Sequence, residues 1–554
     1  MDSAGPTSYS EVMHLGVLFY SDTIVFAQQP RDLKGRAVAN HGLVRALLRP
    51  GRGHYVTLIV SGPTERQLVQ DFFGEVVRSP NVELVTLREL AAAVRARPLD
   101  VLHVLGPDLY RGLALRAAFP AQRCVVTGMT HTIAHDPFLG WLWLSLLAGP
   151  SAADCLVCTA PTAEQAIQAM LATCRARLPD AALATRVIPL GVEVGDFARA
   201  APLSRATLQL GADDIVLLSC ARFSYYTKTD LIPVLLALRE LTRQTAKPVA
   251  LVLAGATGEE RYPELLQLVA QEYGVAAHVR FVPNPSETTK RGLLKMADVF
   301  VAPSDNLQET FGLSVIEALA AGLPVVAADW DGYRTLVRDG VDGFLIPTCA
   351  PRRCDTLEQT APLQLDSLAQ LFRAQAVAMD LTLLVERLRT LVEQDDVRCA
   401  MAAQAGARGR TFDWSRIVPQ YGALWQELVA QAANAVVSPP LAVTLDAYAA
   451  FHHYPTTRLQ PTTRVLVTPR GQEFLCGTLP VRMYEAMEEI LSVPLLTALL
   501  QRAATETTVD ALTAACAPLV TSADLIPYHV AWLAKYGCVR LGGSDSIPNN
   551  AVPS

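Results

Sequence analysis

The stretch VFVAPSDNLQETFGLSVIEALAAGLPVVA, residues 299–327, decides how this 554-residue chain is read. Val299–Ala302 is apolar on both faces, as a strand inside a covered parallel sheet must be. It empties into a polar loop, a helix starts near Gly312 or Leu313, and residues 324–327 give the next apolar strand. The free amides at such a helix start form an anion site suited to a phosphate. Gly312 has no side chain and lets a ligand approach the backbone. Glu317 falls in the first turns, where a carboxylate is electrostatically favoured, and could accept hydrogen bonds from a diol such as a ribose. Glu309 lies before the helix on the same ligand-facing loop.

The same alternation runs outward in both directions. Residues 15–19, 55–60, 101–104, 124–127 and 155–159 are short apolar runs separated by helix-like stretches such as 37–48 and 163–172. The pattern restarts after Ile188-Pro189-Leu190-Gly191, with a second set at 215–219, 249–254, 279–282, 299–302 and 324–327. Continuous apolar strands with amphipathic helices between them predict two doubly wound, Rossmann-like α/β halves in series. A ligand is expected in the cleft between them, at the carboxyl ends of the strands.

From about residue 367 to 433 the chain turns helical, and Val436-Val437-Ser438-Pro439-Pro440 reads as a linker. A smaller module follows, to about residue 543. In it, 464–468 and 472–475 flank Pro469-Arg470-Gly471, which predicts a hairpin. Helices are expected near 482–491, 495–504, 509–516 and 526–536, the last ended by Gly537. A hairpin with helices at this size resembles a winged-helix module. The expected organisation is an acceptor-side domain at 12–190 and a donor-side domain at 191–410. A closing helix at 411–434 packs back on the first domain, and an α+β module occupies 441–543.

Composition narrows the function. Half of the chain is hydrophobic, 18% is charged and the formal net charge is −6, which suits large buried cores and argues against a dedicated nucleic-acid binder. Residues 440–554 hold seven Lys/Arg against nine Asp/Glu, where a DNA footprint wants a basic face. No apolar run reaches the roughly 18 residues that span a bilayer. The first residues are polar and show no secretory pattern, so a soluble, cytoplasmic-type protein is expected. Eleven cysteines, mostly inside apolar runs, read as buried small hydrophobes, Cys155-x-x-Cys158 included. His452-His453 has no ligand partners nearby in sequence.

Glu309 and Glu317, with seven residues between them, the intervening Phe311-Gly312-Leu313 and the following Ala-Ala-Gly-Leu-Pro-Val-Val together resemble the family 4 glycosyltransferases, which have the GT-B fold. Cys220-Ala221-Arg222-Phe223 and Lys228-Thr229-Asp230 resemble that family's Arg…Lys element. Two cations at a strand end suit a diphosphate. Val125–Met129 followed by Thr130-His131 resembles its strand ending in a histidine beside the donor sugar, with His135 as the other candidate. The family's paired glycines in the first strand–helix loop are missing, and Gly35 is the nearest candidate.

What the resemblance implies is a retaining transfer from a nucleotide diphosphate sugar, with no metal or other cofactor. Arg222, Lys228, Glu309 and His131 would be the catalytic set. Glu317, Thr310, Phe311, Gly312, Leu313, Val282 and Gly35 would bind the donor. Asp329-Trp330-Asp331 has a metal-binding form, but Arg, Lys and helix amides are expected in the metal's place. The acceptor stays open among glycan, lipid, peptide and small molecule. The basic set Arg31, Lys34, Arg36, Arg45, Arg49 and Arg52 is either solvated surface or an attraction for an anionic acceptor or the inner membrane face. The C-terminal module reads as a protein- or peptide-docking or dimerisation element. The other readings weighed are a GT-B phosphorylase or nucleotide-sugar hydrolase, a degenerate scaffold acting as a binding protein, and a sugar-sensing DNA-binding regulator.

Overall fold

The first half builds a sheet from seven strands: β1 (His14–Leu18), β2 (Tyr55–Val60), β3 (Val82–Thr86), β4 (Val101–Val104), β5 (Val125–Met129), β6 (Cys155–Cys158) and β7 (Ala184–Val187). The structure is a computed structural model that describes residues 13–19, 35–49, 54–119, 124–179, 182–258, 261–432, 446–478, 483–484, 487, 490–520 and 522–542. Arg31, Lys34, Arg52, the 436–440 linker and much of the 482–491 segment lie outside them. The strand order is β3-β2-β1-β4-β5-β6-β7. Residues along β1, β4, β5 and β6 are buried without alternation, because helices cover both faces. β7 was not singled out from sequence; its residues Thr185 and Arg186 alternate buried and exposed, as on a sheet edge.

The second half repeats the design with β8 (Ile215–Cys220), β9 (Val249–Gly255), β10 (Val279–Pro283), β11 (Val299–Ala302), β12 (Val325–Ala328) and β13 (Gly343–Ile346), in the order β10-β9-β8-β11-β12-β13. All pairings are parallel. The strand order reverses between β8 and β11, and their carboxyl ends deliver Arg222 and residues 303–312 to the same place. A two-stranded ladder, β14 (Thr348–Cys349) with β15 (Ala378–Met379), closes the base of a helical excursion.

The Trp414–Ala432 helix then returns to the first sheet. Its Tyr421, Trp425 and Leu428 are buried, the Trp425 indole donates to Thr127 Oγ1 at 3.2 Å, and the His103 ring lies 5.7 Å from both aromatic rings. At the crossing, the Val192 N–H donates to Phe412 O and the Trp414 N–H to Val192 O. Glycine is required at Gly191 and Gly42, where a Cβ would sit 2.6 and 2.5 Å from Trp414.

Two compact units divide the chain: Met1–Val60, Gln67–Leu84 and Ala93–Val443 form one, and Ser61–Arg66, Val85–Ala92 and Thr444–Ser554 the other. In the C-terminal segment, β16 (Arg464–Val467) lies between β17 (Thr507–Thr508) and β18 (Val539–Gly542), both antiparallel to it. The expected hairpin at 464–475 is not there. Thr468 Oγ1 accepts the Gly471 N–H at 3.2 Å, with Pro469 in the first turn, so Pro469–Leu475 is a helix. A Thr cap followed by Pro is a helix-start signal, and it outweighs the turn reading of Pro-Arg-Gly. Helices Val493–Arg502, Val509–Cys516 and Leu525–Lys535 complete the segment around Leu496, Leu499, Leu512, Ile526 and Leu533. Gly537 ends the last one at φ +69°.

Candidate active site

The loop from β11 is pinned before it presents any side chain. Asn306, fully buried, donates to Tyr226 O at 2.9 Å and accepts the Gln308 N–H at 2.9 Å, while the Trp330 indole donates to Asn306 O at 3.1 Å. Glu309 follows, 9% exposed, its Oε2 paired with the Lys228 ammonium and 3.4 Å from the Tyr333 hydroxyl. Lys228 is held by its own loop: its N–H donates to Ser224 O at 3.1 Å. Arg222 Nη1 donates to Thr227 Oγ1 at 3.4 Å in that same turn.

The Leu313–Ala321 helix starts abruptly because Gly312 has φ +109°, and it stops at Gly322 with φ +86°. Packing adds a second requirement for glycine at 312, which itself lines the cleft: an added Cβ would lie 2.4 Å from the Tyr333 ring. The Leu313 and Ser314 amides precede the first intrahelical bonds, and both residues line a cleft of about 620 Å³. Gly35, at the start of the Gly35–Leu47 helix, faces Leu313 across it, with its Cβ position 3.9 Å from Leu313 Cδ1. Arg36, His131, His135, Arg222, Lys228 and Glu309 share the same cleft.

Glu317 is buried, and its Oε1 accepts from Lys290 Nζ at 2.8 Å. Lys290, on the Glu287–Met296 helix, also pairs with Glu287 at 3.2 Å. Burial raises the Glu317 carboxyl above its ordinary range, opposed chiefly by the Lys290 charge. The neighbouring thiol of Cys220 is pushed up to about 12 by burial and stays protonated at neutral pH.

His131 follows β5 and is 8% exposed. Its Nε2 lies 3.0 Å from Asn40 Oδ1, and its carbonyl accepts the Thr310 hydroxyl, joining the two halves. Burial first, then the Arg36 charge, pushes its imidazole down to about 3, so it is neutral at physiological pH. With Oδ1 as the partner, Nε2 carries the proton, and the Asn40 amide in turn donates to Leu105 O at 2.9 Å.

One expected donor contact is not in the cleft lining. Val282 is not among the lining residues; it lies within β10, paired with Ala254, and Gly255, Ala256, Asn284 and Pro285 line that end instead. Strand polarity explains the shift, since the cleft meets the residues just beyond the strand's carboxyl end. Phe311 does line the cleft, and its ring packs inward against Phe412, ring centroids 6.3 Å apart, at 3% exposure. Asp329 is paired with Arg334 at 2.7 Å, and burial pushes the Asp331 carboxyl, at φ +40°, up to about 6. Lys290, Tyr333, Asn284 and Asn40 were missed. Only Asn40 left a trace in the sequence, an amide on an otherwise apolar helix face.

Residues 202–354, which contain all of β8–β13, match the family model described as Glycosyl transferases group 1. That match falls on the donor-side half of the chain. Among curated relatives, a phosphatidyl-myo-inositol mannosyltransferase of Mycobacterium tuberculosis is 29% identical over 251 residues, 45% of this chain and 56% of that one. A D-inositol 3-phosphate glycosyltransferase of Frankia alni is 35% identical over 178 residues, 31% of this chain and 43% of that one. The chain spans about half the length of the curated relatives it matches. The sucrose-phosphate synthase structure from Thermosynechococcus elongatus covers 76% of this chain and all of its own, with a TM-score of 0.50 at 19% identity. A glycosyltransferase structure from Rickettsia africae covers 76% of this chain and 99% of its own, also at TM-score 0.50, with 14% identity. These likenesses are of fold, and with the two parallel sheets they make the architecture GT-B. Within the matched segment, Arg222, Lys228, Glu309 and Glu317 all line the cleft.

Proposed function

We propose that the chain transfers a sugar from a nucleotide diphosphate sugar to an acceptor hydroxyl, with retention at the anomeric carbon and without a metal ion. The observation that carries this reading is the convergence of two cations, two buried carboxylates and an open helix start on one cleft. Arg222 and the Leu313 and Ser314 amides would stabilise charge growing on the departing diphosphate, a term that usually dominates such catalysis. Lys228 has three N–H donors, so it can hold Glu309 and a phosphate oxygen together. Glu317 would accept from the ribose hydroxyls, Glu309 would contact the donor sugar, and neutral His131, its one N–H committed to Asn40, would shape the pocket without adding charge.

The anomeric C–O bond to the diphosphate breaks, the acceptor oxygen bonds to the same face of that carbon, and its proton passes to a leaving phosphate oxygen. The relatives' names make inositol, its phosphates and its phospholipids the first acceptors to try. The test is thermal unfolding with UDP, GDP, ADP and TDP, with and without EDTA, followed by product analysis with the matching sugar conjugates. A diphosphate present at 100 times its Kd adds about 2.7 kcal/mol of stability. Stabilisation by one nucleotide, insensitive to EDTA, is the expected result; no shift from any of them would overturn the assignment.

A further inference from the structure

The cleft contains a cation that the transfer chemistry above leaves unused. Lys290 is on a different helix from the other site residues, and its ammonium bonds Glu317 at 2.8 Å and Glu287 at 3.2 Å. All three residues line the cleft. An ammonium tied to two carboxylates has one N–H left to give. A fully buried carboxylate, for its part, keeps its charge only next to such a partner.

We infer that Lys290 is a positioning residue for the nucleotide: it holds Glu317 ionised and in one orientation, so that the carboxylate reads the two hydroxyls of a ribose. This inference rests on the donor-site reading and deepens it by naming the residue that orients its ribose-facing carboxylate. The geometry supports it in two ways. Oε1 of Glu317 is taken by Lys290, which fixes the plane of the carboxylate and leaves Oε2 for the ligand. The helix that carries Glu317 is anchored at Gly312 and Gly322, so the carboxylate reaches its place from a rigid element. Burial raises the Glu317 carboxyl, and the charges facing it are Lys290, Glu287 and Arg291 of one helix, with the Cys220 thiol beside them. Arg291 is itself paired with Asp196 at 2.9 Å, which leaves Lys290 as the counter-charge in direct contact.

The experiment is calorimetric titration of the full chain with UDP, GDP and ADP and their 2′-deoxy counterparts. The parent should bind one ribonucleotide diphosphate about tenfold or more tighter than its deoxy form, the value of a hydrogen bond to a charged group. Lys290→Met should weaken the ribonucleotide about 10- to 100-fold and bring the ribo-to-deoxy ratio near one, and Lys290→Arg should restore part of both. Glu317→Gln and the double variant K290M/E317Q should show the same loss as K290M, because the two residues act as a unit. The double variant also removes the unpaired buried charge, so it reports even where K290M folds poorly. An unchanged ribo-to-deoxy ratio in K290M or in the double variant overturns the role given to Lys290 while the donor site stands. A parent that binds none of the diphosphates overturns the donor site and this inference with it.

Discussion

Replacing Gly312 by Ala tests the start of the ligand-facing helix more sharply than any charge change. The added methyl would sit 2.4 Å from Tyr333 Cε1 and 2.7 Å from Cδ1, on a backbone held at φ +109°. The dihedral costs a non-glycine residue about 1–3 kcal/mol, and overpacking against a buried ring costs about 1–3 kcal/mol more. The expected penalty is therefore about 2–6 kcal/mol, read from urea unfolding followed by fluorescence. The two parts separate in a Tyr333→Ala background, where the ring is gone and only the dihedral cost of about 1–3 kcal/mol should persist. The Tyr333 hydroxyl lies 3.4 Å from the Glu309 carboxylate, so moving the ring should lower sugar transfer as well as stability. An alanine variant within about 0.5 kcal/mol of the parent, or one with an equal penalty in both backgrounds, would refute the reasoning.

Lys228→Ala removes a cation from the leaving-group site and should lower turnover on the order of 10²–10³-fold, with the fold intact by circular dichroism; near-normal kcat would count against its role. Trp425→Ala should cost about 3–5 kcal/mol, because it empties the contact between the returning helix and Thr127 and His103; equilibrium unfolding checks this. Asp305 gives a pH signature. Burial pushes its carboxyl up to about 7, against an opposing bond from the Asp230 N–H, so the folded chain holds a proton that the unfolded chain releases near pH 4. Its contribution to stability is full below that lower value and is lost as pH rises toward 7. Asp305→Asn should therefore gain Tm over the parent between pH 5 and pH 8, by a few degrees, and a gap that does not vary with pH would disprove it.

Much of this molecule was legible because its signals are local. Runs such as Val249–Gly255 and Val299–Ala302 have no polar residue to place outside, so a covered parallel sheet was readable from either. The spacing of Glu309 and Glu317 around Phe311-Gly312 pointed to the cleft without any tertiary information. What failed to show depends on contacts distant in sequence. Lys290 looks like any exposed lysine on an amphipathic helix until the fold brings Glu317 beside it. The inward turn of Phe311 depends on Phe412, a hundred residues later. Pro469-Arg470-Gly471 was misread because a turn and a capped helix start share their residues. The glycine answers to a distant contact instead, since the Cys538 carbonyl would lie 2.1 Å from a Cβ at Gly471.

The return of the Trp414–Ala432 helix to the first sheet also constrains how the chain is made. Strand β5 and the residues around His103 leave the ribosome some 300 residues before Trp425, which covers them. Until then, a finished sheet has an apolar face with no partner, while the second half is still being synthesised. A nascent chain stalled before residue 414 should therefore be a chaperone client, and one released after residue 432 should not. Synthesis from the N-terminus cannot complete the N-terminal half first; its last contacts wait for the Trp414–Ala432 helix.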